Sequence, residues 1–287
     1  MSEMSSRGLH EKVVCALCPH HCVLSEGQRG ICHARIARGG EVVCENYGCV
    51  TGMALDPIEK KPLARFFPGS QVFSIGSFGC NLRCPFCQNA GIATAGIDNV
   101  SWHPMTPEAV VEQGKALRDQ GNIGIAYTYN EPLVGYEFVL DCARLAREAG
   151  LKNILVTNGM ICPEPLDRLL PFIDAINIDL KGNTQGFYDM VGGNIDVVKQ
   201  TIASCAACET CHVEVTTLVI PQENDDLDEI EAIAAWLADM DSDISYHLSR
   251  FFPCHHRADR EPTSVAVVYD AIARARKHLR YVYPGNC

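Results

Sequence analysis

The chain has 287 residues, 47% of them apolar and 21% charged, which is ample material for a sizeable core and excludes disorder as the main state. No apolar run approaches the ~20 residues needed to span a bilayer, and Met1 to Lys12 lacks the apolar stretch of a secretory signal, so a cytoplasmic protein without a membrane partner is expected. With 24 basic against 35 acidic residues the formal charge is −11, which offers a nucleic-acid backbone no general attraction; Arg274, Arg276, Lys277 and Arg280 form one local basic patch.

Sixteen cysteines stand out, because a reducing compartment opposes structural disulfides and such crowding points to metal ligation or redox chemistry. The first group, Cys15, Cys18, Cys22 and Cys32, supplies a CxxC, a third thiol and, after nine intervening residues, a fourth. Four soft ligands suit zinc or a second iron–sulfur cluster, and their spacing does not separate the two. Segments 34–38 and 41–45 flank Gly39-Gly40, which predicts a β-hairpin inside this cysteine-rich, metal-binding module. A boundary is expected near Phe67-Pro68-Gly69, dividing the chain into residues 1–69 and 70–287.

Beyond that boundary, β-branched or apolar runs alternate with helical patterns, as in repeated βα units around a parallel sheet. Six strands are predicted, at 71–78, 123–128, 153–157, 175–180, 213–220 and 244–251. The first long helix starts with Thr106 as N-cap and Pro107 at N1, and stops before Gly121. Others fit 135–149, 195–205, 226–238 and 263–280. The expected fold is α/β: a partial, TIM-like (β/α)6 barrel behind a small N-terminal module, with its site where βα loops converge at the C-terminal strand ends.

The loop after the first predicted strand reads Gly79-Cys80-Asn81-Leu82-Arg83-Cys84-Pro85-Phe86-Cys87-Gln88-Asn89. Three thiolates within eight residues can hold three corners of a cubane, whereas an all-cysteine [4Fe–4S] cluster needs four. One iron is left without a local ligand, and an open position is what metal catalysis requires. The competing reading of the same spacing is a zinc knuckle or a redox pair.

CxxxCxxC with an aromatic before the third cysteine, on the first βα loop, resembles the radical S-adenosylmethionine (SAM) superfamily. The resemblance implies that Cys80, Cys84 and Cys87 are the catalytic iron ligands, that Phe86 lies beside the adenine, and that SAM is cleaved to methionine and a 5'-deoxyadenosyl radical. It also implies roles for later strand ends. In Tyr129-Asn130-Glu131-Pro132, where the family often has Gly-Gly-Glu, Glu131 would meet the SAM amino group and Asn130 would support it. Thr157-Asn158-Gly159 and Asp179-Leu180-Lys181 resemble stretches lining the cofactor pocket of glycyl-radical activating enzymes; Val156 stands where an Asp often marks a cation site, so no cation is predicted. Thr217, His247 and Arg250 are the remaining expected cofactor contacts. Only one of Thr216 and Thr217 can face inward on a regular strand.

The block Asp56-Pro57-Ile58-Glu59-Lys60-Lys61-Pro62-Leu63, with Phe67-Pro68-Gly69-Ser70 and the cysteine-rich start, is similar to radical SAM enzymes of the AmmeMemoRadiSam system, related to pyruvate formate-lyase activating enzyme. That likeness implies an oxidoreductase reduced by a donor such as flavodoxin or ferredoxin, with partner proteins from the same system, and a substrate that is either a partner protein or a small molecule. A non-catalytic iron–sulfur or zinc protein for electron transfer or scaffolding is the alternative. Cys205, Cys208 and Cys211 form a further CxxCxxC, but it runs from a predicted helix end towards a strand without a nearby fourth ligand, so packing is expected there.

Overall fold

A computed structural model describes residues 12–287. The expectation about a leader segment concerns residues 1–12, of which all but Lys12 lie outside the described residues. No described helix is long and apolar enough to cross a membrane.

One eight-stranded sheet organises the chain: β1 (Gly52–Pro57), β2 (Gln71–Gly76), β3 (Asn122–Tyr127), β4 (Lys152–Thr157), β5 (Ala175–Asp179), β6 (His212–Val219), β7 (Ser245–Arg250) and β8 (Val282–Gly285), paired in sequence order. The six predicted strands are β2 to β7, each within a residue or two of its expected bounds, and every pairing from β2 to β8 is parallel. Two strands are additional. β8 closes the C-terminal end, and β1, from before the expected boundary at residue 70, pairs antiparallel with β2. β1 and β8 are not paired with each other among the described residues, so the barrel is partial.

The helices follow from local chemistry. In α1 (Pro107–Ala116) the Thr106 hydroxyl accepts from the Ala109 N–H at 3.2 Å, and Pro107 occupies N1, where no amide donor is needed. Asp226 caps α6 (Leu227–Met240) and Asn194 caps α5 (Ile195–Ala206) in the same way. α2 (Tyr136–Glu148) buries Phe138, Val139, Cys142 and Ala146 on one stripe. Two shorter helices, α3 (Pro163–Leu169) and α4 (Gln185–Val191), have too few turns to show a periodic signal. The last helix, α7 (Val265–Ala275), ends five residues before the expected position 280, leaving chain for β8.

The expected hairpin is present as Arg35–Arg38 paired with Glu41–Cys44. Its module lies against the main body. Arg35, buried, makes two bonds to Glu137 of α2, at 2.8 and 2.7 Å. The segment between β1 and β2 runs inside the barrel: Ile58, Leu63 and Phe66 pack with Val72, Ala126, Ile154 and Ala175 in one apolar cluster. Its backbone is tied to strand side chains, with Asn177 Nδ2 donating to the Pro62 carbonyl at 2.8 Å. The Ala64 and Arg65 amides donate to the Glu214 carboxylate at 3.0 and 2.9 Å. Thus residues 58–66 form a plug in the lumen, from which Lys60 and Lys61 reach the cavity.

Candidate functional site

Above the plug, at the C-terminal strand ends, a cavity of about 350 Å³ opens. The loop after β2 places Cys80, Cys84 and Cys87 on one wall, and Phe86 lines it as well. Gly79 permits this course. Its φ of +88° favours glycine, and a Cβ there would lie 2.5 Å from the Cys32 carbonyl of the N-terminal module. The Leu82 amide donates to the Cys80 sulfur at 3.3 Å, and the Asn158 amide group donates to the same sulfur at 3.6 Å. Asn158 Nδ2 also donates to Asn81 Oδ1 at 2.9 Å, so the end of β4 orients the cysteine loop.

Glu131 lines the same cavity, 3% exposed. It caps the short turn Pro132–Gly135 through the Leu133 amide at 3.0 Å, and also accepts from the Thr157 hydroxyl at 2.7 Å and the Asn158 amide at 2.8 Å. Burial pushes its carboxyl up to about 7, against the opposing pull of those three donors. A cationic group brought into the cavity would restore its charge. Lys181, 3.0 Å from Asp179, is held protonated: burial disfavours its charge, but the Asp179 carboxylate outweighs that cost and raises its pKa.

Ten residues expected at the site line this one cavity: Cys80, Cys84, Phe86, Cys87, Asn130, Glu131, Thr157, Asn158, Asp179 and Lys181. Three do not. Thr217 points to the other face of β6, donating to the Leu180 carbonyl at 2.6 Å and accepting from Tyr246, while Thr216 faces the cavity. His247 is on the inward face but lower, bonded to buried Glu214, and its strand-mate Ser249 reaches the cavity instead. Arg250 turns away to the Thr263 carbonyl at 2.6 Å and stacks over Phe252. For Thr217 and Arg250 the two-residue alternation of a strand decides which neighbour is presented, whereas His247 shares its face with Ser249 and is held away from the cavity by Glu214.

Exposed Lys60, Gln88, Asn89 and Asn286 form the rim, buried Lys61 lines the wall, and none of them was anticipated. Nor was Tyr129, whose φ of +74° is costly for a residue with a side chain. Its hydroxyl donates to Asp56 at 2.7 Å, Lys61 donates to the same oxygen at 2.8 Å, and Lys61 lies 4.8 Å from the tyrosine ring centre. The Gly-Gly to Tyr-Asn departure thus keeps the glycine-like backbone and pins it from the plug.

Three thiols and a buried carboxylate opening on one cavity at the strand ends define a β/α-barrel enzyme with its chemistry on the βα loops. A profile of the radical SAM superfamily matches residues 74–237, and the chain belongs to that superfamily. It is similar to the uncharacterized protein MJ0808 of Methanocaldococcus jannaschii, 41% identical over 277 residues, 96% of this chain and 81% of that one. It is also similar to pyruvate formate-lyase 1-activating enzyme of Escherichia coli K12, 26% identical over 165 residues, covering 56% of this chain and 66% of the relative. In fold it resembles Streptococcus suis SuiB bound to S-adenosylmethionine, with a TM-score of 0.55 at 12% identity, over 72% of this chain and 48% of SuiB.

Membership implies a [4Fe–4S] cluster and SAM, and the residues fit such a pair. Cys80, Cys84 and Cys87 are free thiols facing one space. Burial pushes Cys84 up to about 11 and raises Cys80 and Cys87, so a metal would have to displace their protons. Among the described residues no three or more His, Cys, Asp or Glu converge as they would on a single metal ion. A cubane, whose thiolates bond separate irons, does not need that convergence. In the N-terminal module Cys15, Cys18, Cys22 and Cys32 are all free; burial, reinforced by Cys15 and Cys32, pushes Cys18 up to about 11. Cys205, on the buried face of α5, and Cys211 both pack in the main core.

Proposed function

We propose that this chain reductively cleaves SAM and uses the resulting radical on hydrogen carried by a larger molecule that reaches the cavity mouth. Cys80, Cys84 and Cys87 would hold a [4Fe–4S] cluster, which when bound supplies the electron that cleaves SAM to methionine and a 5'-deoxyadenosyl radical. Glu131, reinforced by Thr157 and Asn158, offers the carboxylate for the SAM ammonium, and Lys181 offers a cation for its carboxylate. Asn130 holds the two strand ends together, donating to the Phe78 and Gly79 carbonyls at 3.1 and 3.0 Å. Phe86, packed 6.0 Å from Phe187, offers an apolar face to an aromatic base.

The observation that carries this reading is that the three thiols and Glu131 line the same cavity. Its volume of about 350 Å³ supports the second half of the proposal. Pockets for drug-sized ligands run from roughly 300 to 1,000 Å³, so one SAM takes up most of this space. Hydrogen must then be offered through the rim of Lys60, Gln88, Asn89 and Asn286, as a polypeptide segment can do. Iron and sulfide reconstitution without oxygen, followed by dithionite and SAM, tests the chemistry by the appearance of 5'-deoxyadenosine and methionine. Deuterium passing into deoxyadenosine from a labelled partner polypeptide supports the substrate class; turnover of a free metabolite alone refutes it.

A further inference from the structure

The fold of the N-terminal module brings Cys15, Cys18, Cys22 and Cys32 together. Val13–Val14 pairs antiparallel with Val23–Leu24, and the ladder continues to Cys15 and Cys22, where the Cys15 amide donates to the Cys22 carbonyl at 3.0 Å. Side chains opposite each other on such a pair leave the same face, about 5 Å apart at Cβ. Cys18 lies in the turn between them. Cys32 comes from the next turn, where the Gly30 amide donates to the Arg35 carbonyl at 2.8 Å. The Cys22 sulfur faces that turn, 3.5 Å from where a Cβ on Gly30 would stand. Burial raises the Cys18 and Cys32 thiols, and the nearby sulfurs add to it: Cys15 and Cys32 act on Cys18, and Cys15 acts on Cys32. Donors pull the other way, with the His20 amide and the Asn81 side chain favouring the Cys18 thiolate and the Ala34 and Arg35 amides that of Cys32.

Cys15, Cys18 and Cys32 are 6%, 8% and 6% exposed, yet none of the four thiols donates a hydrogen bond among the described residues. The other two cysteines of the module are engaged: Cys44 donates to Asn46 Oδ1 at 3.1 Å and Cys49 to the Tyr47 carbonyl at 3.8 Å. Four sulfurs without acceptors, two of them favoured as thiolates by nearby donors, suit a metal centre. Its kind follows from their spread. Among the described residues no three side chains converge on a single ion, here as at Cys80, Cys84 and Cys87. Zinc needs that convergence, because it holds every sulfur about 2.3 Å from one ion. An iron–sulfur cluster distributes its thiolates over several irons.

We propose that Cys15, Cys18, Cys22 and Cys32 hold an iron–sulfur cluster of their own, saturated by these four thiolates and therefore closed to SAM. Loading replaces four S–H bonds by four S–Fe bonds and releases four protons; iron and sulfide come from outside, and the protein gains or loses no electron. The cluster staples a module with little core to itself, since Cys32 and Ala34 form an apolar cluster with Val134 alone. It also stands behind the catalytic cysteine loop. His20 Nε2 donates to the Asn81 carbonyl at 2.8 Å, Arg83 donates to the Ile31 carbonyl at 2.9 Å, and Gly79 packs against the Cys32 carbonyl.

The test uses the full-length chain carrying Cys80→Ala, Cys84→Ala and Cys87→Ala together, reconstituted with iron and sulfide without oxygen, so its outcome does not depend on SAM cleavage. That chain should retain about two to four each of iron and sulfide, with a visible absorbance that SAM leaves unchanged. Adding Cys18→Ala or Cys32→Ala, made separately, should remove most of the iron, whereas adding Cys44→Ser should keep it. A second reading needs no further substitution: Cys22, half-buried, should react with iodoacetamide at least about tenfold more slowly in the loaded than in the metal-free chain, as peptide mass spectrometry will show. A triple variant that holds zinc alone or no metal overturns the proposal. So do iron retained in both alanine variants, a spectrum that responds to SAM, and Cys22 alkylation indifferent to loading.

Discussion

Replacing Glu131 with Gln isolates the most unusual charge in the cavity. The carboxyl is fully buried and its pKa is raised from 4.5 to about 7, burial being the main cause. A raised acid binds its proton more tightly in the folded than in the unfolded chain. It therefore contributes stability that is present below about 4.5 and disappears as the pH rises through about 7. Between pH 5 and pH 8 the wild type should lose about 2–3 kcal/mol from this group alone. The substituted amide does not titrate, so the stability gap between wild type and variant should shift by that amount over this range. Against it runs a constant penalty: two donors, Thr157 and Leu133, share one oxygen, and the Asn158 amide meets the other, where Gln would present a second donor. Such a mismatch costs about 1–3 kcal/mol at every pH. Urea unfolding of both metal-free proteins from pH 5 to pH 8 measures the gap. A gap that is flat across the range refutes the buried-carboxylate argument. The same variant should bind SAM at least about tenfold more weakly at pH 8, since it lacks the charged partner for an ammonium.

Other consequences follow from single contacts. Cys84→Ala should leave the barrel folded, because the thiol is only partly buried, yet should lose reconstituted iron and all SAM cleavage; iron analysis with product detection checks both. Gly79→Ala meets the Cys32 carbonyl at 2.5 Å in a left-handed backbone, and should cost about 2 kcal/mol or more in stability and lower cluster loading, read by unfolding and iron content. Glu214→Gln removes a carboxylate that ties the plug to β6 and β7; its burial is outweighed by His212, His247 and the Ala64 amide, which hold its pKa at about 2. A depressed acid stabilises above its unfolded pKa near 4.5, and that support is lost as the pH falls towards about 2. The variant should therefore be less stable than wild type at pH 7, by about 3 kcal/mol, with the gap closing in acid, as urea titrations at both pH values will show.

Much of this protein is legible in one dimension because the forces concerned are local. Thr106-Pro107 satisfies or removes the amides at a helix start, so the start of α1 could be placed to the residue. β2 to β7 carry dense β-branched runs because both faces of a parallel sheet are covered. Cys80, Cys84 and Cys87 share one loop, and their chemistry is set by spacing within eight residues. Glu131, Asn158 and Lys181 were named through the resemblance to radical SAM enzymes, and their place at the strand ends agrees with where barrel loops converge.

What remained for the tertiary structure were contacts between distant positions. Glu214 receives amides from Ala64 and Arg65, about 150 residues away, and nothing around Glu214 in the chain announces them. β1 carries Gly52, Asp56 and Pro57, poor strand formers, and is held by pairing with β2 at a sheet edge. The choice of Thr216 over Thr217 depends on the phase of a two-residue alternation, which only the packing of α5 and the plug against opposite faces of β6 can set. Local preference writes itself into adjacent residues; the phase of a strand and the partner of a buried charge are decided where the chain meets itself.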